Sequence, residues 1–170
     1  QEIDIKSLFS KLNDIHLEFR PNHQVLELYL NGKNINKEIR ELRVSNNVSI
    51  VAKQPEIRDF LLDFQRNLAT KGGVIMDGRD IGTVILPNAD FKFFVTASPE
   101  ERARRRHLEL QNAGTEASYE EVFQNLITRD KIDSERDVAP LKQADDAILI
   151  DNTFLNKEET IALILSYIEK

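Results

Sequence analysis

Two acidic residues flank an arginine in the run Asp77-Gly78-Arg79-Asp80, which follows the apolar stretch Val74 to Met76 directly. The apolar stretch predicts a buried strand, and open α/β sheets bind ligands beyond the carboxyl ends of their strands. The same side chains can instead form a structural ion pair, with Arg79 bound to Asp77 or Asp80. The position after a predicted strand favours a binding site over that alternative.

A second group of charged residues lies in the sequence PEERARRR at positions 99–106. Acids in the first turn and arginines behind them are typical of a helix, because this order suits the helix dipole. Most such runs are solvated helix faces that contribute little to stability. The apolar stripe of this helix is thin, however, so the run also fits a peripheral, mobile flap that closes on phosphate groups.

A third group, Arg129, Asp133 and Arg136, falls at i, i+4 and i+7 and so shares one face if the helix continues that far. A surface ladder of ion pairs is the default interpretation for such spacing. Together with Arg58 and Arg79, however, these residues place many arginines near predicted strand ends. Arginine binds phosphate in a bidentate manner better than lysine does, so an anionic ligand is predicted.

The elements that must position these groups alternate between strands and helices, which predicts a parallel α/β sheet. A small antiparallel meander interrupts the pattern, with Asn31-Gly32 as its hairpin turn and a further turn at residues 20–23. Capping boxes at Ser118/Glu121 and Asn156/Glu159 mark two helix starts. The predicted helices cover residues 4–13, 44–51, 55–68, 99–114, 118–136 and 156–168, and the predicted strands cover 14–36 as the meander, then 74–76, 91–95 and 147–150.

Composition excludes several classes of protein. The chain of 170 residues has a net charge of −6 and no cysteine, which disfavours nucleic-acid binding and excludes a disulfide framework or a cysteine-ligated metal. No apolar run approaches the roughly 20 residues of a membrane span, so a cytoplasmic protein without a membrane partner is predicted. The three histidines are scattered, and no residue is assigned as a direct metal ligand.

Longer stretches of the sequence resemble a known enzyme family. The segments VIMDGRDIGTVILPNADFKFFVTASPEERARRR, YEEVF and RDKIDSERDVAPLKQADDAILIDNT resemble the bacterial cytidylate kinases, P-loop enzymes that transfer a phosphoryl group from ATP to CMP or dCMP. NGKNINKEIRELRVSNNVSIVAKQPEIRDFLLDFQR is similar to the family's nucleoside-monophosphate-binding region, so the resemblance covers essentially the whole chain. It implies a P-loop nucleoside-monophosphate-kinase-like fold, with a parallel sheet, helices on both faces and a small antiparallel insert.

The resemblance also implies a division of the chain and a CMP site. Residues 1–69 would form the monophosphate-binding region with its insert at about 14–36, and residues 70–170 the rest of the core with an arginine-rich lid at about 99–117. Asp80 would read the exocyclic amino group of cytosine, directly or through Arg58, and so select cytosine over uracil. The other implied contacts are Ser49 and Arg58 to the ring, Arg79 to the CMP phosphate, Arg129 and Asp133 to the ribose, and Arg136 to the base edge or a neighbouring phosphate.

ATP and Mg²⁺ are the cofactors that the resemblance implies. Arg102, Arg105 and Arg106 would belong to the lid over ATP, and Asp77 would contact Mg²⁺ through a water. Catalysis in such enzymes is positioning and charge stabilisation without a covalent intermediate, and the residues implied for it are Arg79, Asp77, Arg105 and Arg106.

One departure from the family pattern is the P-loop. The 170 residues contain no G-x-x-x-x-G-K-[ST] motif, so the first strands of the family fold are expected to be absent and Gln1 to lie inside a longer parent. The absent strand would lie between residues 74–76 and 91–95, and its loss would leave unpaired sheet edges. A second chain or another segment is therefore expected to supply it, and the isolated chain is expected to be inactive.

Two alternatives remain on the sequence alone. The chain can be a non-catalytic nucleotide-binding domain that kept the monophosphate site, or a related phosphotransferase with another acceptor.

Overall fold

The computed structural model describes residues 3–23 and 25–169. The chain divides into two compact units, Gln1–Asn67 and Leu68–Lys170.

The first unit contains a three-stranded antiparallel sheet in the order β1 (Leu17–Asn22), β2 (Val25–Leu30) and β3 (Lys33–Asn34). Asn31 and Gly32 both have positive φ, 49° and 80°, as the predicted hairpin turn requires. The turn predicted at residues 20–23 is wrong, because β1 stays paired as far as Asn22 opposite Val25. Pro21 is tolerated within β1 because β1 is an edge strand, where an N–H donor is not needed.

Three helices complete this unit, namely α1 (Ile5–Ser10), α2 (Leu42–Ala52) and α3 (Pro55–Ala69), whose last two residues lie beyond the unit boundary. Asp4 caps α1 by accepting a hydrogen bond of 3.0 Å from the Ser7 N–H. The Phe64 ring of α3 stacks on the Phe19 ring of β1 with centroids 6.1 Å apart. Aromatic stacking therefore fixes α3 on the antiparallel sheet.

The second unit is built on two parallel strands, β4 (Phe93–Thr96) and β5 (Ile148–Asp151), with Phe93 opposite Ile148. Ile150 of β5 is almost fully buried. The last helix, α6 (Lys157–Ile168), contacts the sheet through Tyr167, whose ring centroid lies 6.3 Å from that of Phe93. The combination of helices with a small parallel sheet confirms the α/β class.

The strand predicted at Val74 to Met76 is wrong. None of these three residues makes a backbone hydrogen bond within the described residues, and Ile75 is fully exposed. An apolar stretch becomes a strand only when a neighbour satisfies its N–H and C=O groups, and the parallel sheet in the described part of the chain consists of β4 and β5 alone. Asp77 to Asp80 therefore follow a segment without regular secondary structure and precede a π-helical turn at Ile81–Ile85.

The arginine-rich stretch forms α4 (Pro99–Asn112), and α5 spans Tyr119–Glu135. The two capping boxes, Ser118 with Glu121 on α5 and Asn156 with Glu159 on α6, are confirmed. The prediction that α4 is peripheral is wrong, because α4 packs against α5 with Ala103 fully buried and Leu110 almost so. A small residue at 103 lets the helices approach closely, so a thin apolar stripe is sufficient.

Within residues 3–23 and 25–169, no helix has the length and apolar character needed to cross a lipid bilayer.

Candidate functional site

Four charged side chains of the second unit converge near the end of α5. The Arg79 Nε lies 3.1 Å from Asp133 Oδ2, and the two Nη atoms of Arg136 lie 3.7 Å from Asp80 Oδ1 and 3.9 Å from Asp133 Oδ1. We call Arg79, Asp80, Asp133 and Arg136 the carboxylate–arginine cluster. Asp133 lies on the last turn of α5 and Arg136 ends that helix.

The π-helical turn fixes the backbone of Asp80. The Asp80 carbonyl accepts hydrogen bonds from the N–H groups of Val84 at 2.9 Å and Ile85 at 3.2 Å. Within the turn, a Cβ at Gly82 would lie 3.2 Å from Cδ of Lys92, so glycine permits this close approach. Turns of this kind occur often at functional sites. Here the turn holds the backbone from which the Asp80 side chain extends.

Burial differs among the members of the cluster. Asp80, Asp133 and Arg136 are buried, whereas the Arg79 side chain is 43% exposed. Buried charges require partners because desolvation is costly, and these three lie beside opposite charges. Arg79 uses its Nε on Asp133, so the outer edge of its guanidinium is left for an anionic ligand reached from solvent.

Arg129 adds a concentration of positive charge beside this cluster. Burial lowers the pKa of the Arg129 guanidinium, and the charges of Arg79 and Arg106 lower it further, against the opposing effect of Asp133 and Asp130. The positive charges of Arg79 and Arg106 therefore both act on Arg129, and we call these three residues the arginine triplet. An anion bound among them would relieve that repulsion, and a phosphate suits the geometry of guanidinium groups.

All four arginines of α4 pair with acidic side chains. Arg102 donates from Nε to the Ala97 carbonyl at 3.0 Å and pairs through Nη2 with Asp130 Oδ2 at 2.7 Å. Arg106 pairs through Nη1 with Glu109 at 2.7 Å. Arg102 thus ties α4 to the end of β4 and to α5.

Arg105 is engaged more completely. Its Nε donates to Glu101 at 2.7 Å, its Nη1 to the Asn152 side chain at 3.1 Å, and its Nη2 to the carbonyls of Asn152 at 2.7 Å and Leu155 at 3.1 Å. Three of these bonds, those to Asn152 and Leu155, join α4 to the loop after β5, whereas the bond to Glu101 lies within α4. Glu101 is held mainly by Arg104 and also by Arg105, and these hydrogen bonds lower the pKa of its carboxyl to about 2.

The remaining predicted site residues are Ser49, Arg58 and Asp77. In the first unit, Ser49 is buried in α2, and Arg58 on α3 donates from Nη1 to the Ala52 carbonyl at 3.2 Å. In the second unit, Asp77 is exposed. The described part of the chain contains no group of three or more acidic or histidine side chains arranged to hold a metal ion.

Three residues of the second unit that contact the site were missed from the sequence. Asp130 continues the predicted core face of α5, three residues after Ile127 and four after Leu126. A carboxylate on an apolar face was therefore a usable signal for a buried ion pair. Ala139 accepts through its backbone carbonyl, and Asn152 accepts through its backbone carbonyl as well as its side-chain oxygen. A backbone carbonyl cannot be predicted from the type of residue.

Comparison with known proteins gives one family. The family model for cytidylate kinase matches residues 1–170. A cytidylate kinase of Flavobacterium johnsoniae is 49% identical over 165 residues, covering 96% of this chain and 72% of that protein. Similar proteins of the same name come from an Exiguobacterium species, 47% identical over 98% of this chain and 75% of that protein, and from Bacillus cereus, 44% identical over 99% and 76%. This chain belongs to the cytidylate kinase family.

Proposed function

We propose that this chain binds CMP and dCMP as the phosphoryl acceptor of an ATP-dependent cytidylate kinase that yields CDP or dCDP. The observation that carries the proposal is the half-exposed Arg79, which is held by buried Asp133 and whose charge acts on Arg129. Such a site offers guanidinium edges to a phosphate and buried carboxylates to the donors of a nucleoside. Membership of the family supports this assignment, and neither alternative function gains support from the comparisons.

On the acceptor side, Arg79 binds the CMP phosphate and Asp133 and Arg129 bind the ribose. Asp80 accepts a hydrogen bond from the exocyclic amino group of cytosine. Uracil lacks that donor, so UMP would leave a buried carboxylate without its hydrogen bond. Arg136, which pairs with Asp80 and Asp133, contacts the base edge or a neighbouring phosphate. The contacts of Ser49 and Arg58 with the ring stay predictions from the sequence.

On the donor side, Arg102 and Arg106 belong to the lid over ATP, and Arg106 with Arg129 faces the transferring phosphoryl group. The four hydrogen bonds of Arg105 to its own protein favour a positioning role for it over direct contact with ATP. Asp77 is exposed, which fits a carboxylate that holds a water of Mg²⁺. When bound, Mg²⁺ supplies neutralisation of the phosphate charge.

The 170 residues contain no Gly-rich loop for the ATP phosphates, so we predict no turnover by this chain alone. The supply of the P-loop strand by another chain or segment, the family sheet with helices on both faces, and the cytoplasmic location also stay predictions. A coupled assay of CDP formation, with the Flavobacterium johnsoniae relative as positive control, tests the predicted absence of turnover. Turnover by the isolated chain would contradict it.

Isothermal titration of this chain with CMP, dCMP and UMP tests the acceptor site. We expect CMP to bind more tightly than UMP, and Asp80→Asn to weaken CMP by about tenfold or more, because a lost hydrogen bond to a charged group is worth roughly 1.5–3 kcal/mol. Asp90→Asn is the matched control, since Asp90 is exposed. Equal affinities for CMP and UMP would defeat the argument from Asp80.

A further inference from the structure

Ala139 has an unusual backbone conformation next to the carboxylate–arginine cluster. Its φ is +49°, in the left-handed region that residues other than glycine rarely adopt. It also precedes Pro140, and residues before proline are restricted to extended conformations. A conformation disfavoured on both counts persists only when surrounding contacts hold it, and such residues concentrate at functional sites.

Two hydrogen bonds hold this turn against the end of α5. The Arg136 Nε donates to the Ala139 carbonyl at 2.7 Å, and the Leu141 N–H donates to the Asp133 carbonyl at 2.7 Å. Both bonds lead to members of the cluster. The turn at Ala139 is therefore built onto the two residues that face the proposed nucleotide.

The contacts of Arg136 differ in kind. Its distance to the Ala139 carbonyl is that of a strong hydrogen bond, whereas Asp80 and Asp133 lie 3.7 and 3.9 Å from its Nη atoms, at ion-pair separation. A guanidinium is planar and rigid, so a firm contact at Nε also sets the direction of both Nη atoms. Among these three contacts, the carbonyl thus sets the orientation of Arg136.

We propose that Ala139 is a positioning residue of the CMP site: its left-handed conformation aims a backbone carbonyl at Arg136, which in turn sets the spacing of Asp80 and Asp133. This inference rests on the proposed function of the cluster. It adds a main-chain group to the site and gives a reason for the strained turn.

Substitutions at Ala139 test the role of the conformation. Valine is a severe outlier at positive φ, so Ala139→Val should displace the carbonyl and weaken CMP binding by about tenfold or more, equivalent to about 1.4 kcal/mol. Glycine adopts positive φ without strain, so Ala139→Gly should keep the affinity for CMP within about twofold of that of the unaltered chain. His23→Val is the matched control, because His23 also has positive φ, 54°, in the hairpin of the first unit.

Arg136→Lys removes the donor of the hydrogen bond between Arg136 and the Ala139 carbonyl. This variant provides the test if Ala139→Val does not fold. Lysine keeps the positive charge but lacks the Nε donor, so a loss of CMP affinity of about tenfold is expected here too. A loss below about twofold for Arg136→Lys or for folded Ala139→Val would overturn the inference.

The Arg136 Nε–H signal in a ¹⁵N NMR spectrum gives a readout that does not depend on CMP. We expect a slowly exchanging signal in the unaltered chain and in Ala139→Gly, and its loss in Ala139→Val. If the unaltered chain binds no CMP, the proposed function fails, and the NMR signal alone decides the positioning role. An Nε–H signal unchanged in Ala139→Val, or rapidly exchanging in the unaltered chain, would refute that role.

Discussion

Asp133→Asn removes one buried negative charge and changes little else in shape. The Asp133 side chain is 5% exposed and lies between Arg79 and Arg136. Removing one member of a buried ion pair typically costs about 3–5 kcal/mol, because the other charge is left uncompensated. Here Arg136 keeps Asp80 and the Ala139 carbonyl, and Arg79 can turn to water. We therefore expect a smaller loss of unfolding free energy, about 2 kcal/mol.

Urea denaturation followed by circular dichroism measures this loss. The matched control is Glu109→Gln, which also replaces a carboxylate by its amide, in the pair of Arg106 with the 63% exposed Glu109 side chain. Surface pairs contribute about 0–1 kcal/mol, so the control should stay close to the unaltered chain. The argument for a buried cluster is refuted if the two variants unfold at the same urea concentration with equal slopes.

Two further predictions concern helix starts in the second unit. Because Arg104 holds the pKa of Glu101 at about 2, below its ordinary value of 4.5, the stability that Glu101 contributes is present above pH 4.5 and lost as pH falls towards 2. The free energy of unfolding, measured by urea titration at each pH, should therefore fall less steeply with pH for Glu101→Gln than for the unaltered chain. An identical fall in both would contradict the stabilising ion pair. Ser118→Ala should lower the free energy of unfolding by about 1 kcal/mol, because it removes the N-cap of α5. The control is Ser134→Ala on the exposed face of the same helix. Equal free energies of unfolding for the two variants would refute the role of the cap.

Local signals predicted much of the fold. Ser118 with Glu121, and Asn156 with Glu159, mark the starts of α5 and α6 within one residue. These predictions succeed because a capping box satisfies the helix's own N–H groups and needs no distant partner. The Asn31-Gly32 turn is correct for the same reason.

Elements that depend on distant residues were harder to predict. Val74 to Met76 have the composition of a buried strand, but a strand exists only through its neighbours, and none pairs with this segment in the described residues. In the candidate site, the spacing of Arg129, Asp133 and Arg136 showed a shared helix face. It did not show that Arg79, 54 residues before Asp133, would reach that carboxylate.

The role of Arg105 shows a further limit of residue types. Four arginines close together suggest phosphate binding, but the side chain that makes the most contacts with its own protein cannot be identified from composition. Its acceptors include two backbone carbonyls in the loop after β5. Any residue type offers such a carbonyl, so only coordinates distinguish a ligand-binding arginine from one bound to the protein.

The anchoring of Arg105 also limits the fraction of molecules in which the base of α4 has swung outward. Such a swing would break its three hydrogen bonds to Asn152 and Leu155 together, and at roughly 1 kcal/mol each the detached form would be populated in about one molecule in 150. The first turns of α4 are therefore held on the second unit most of the time, and the proposed lid over ATP would open through a form that is rarely populated.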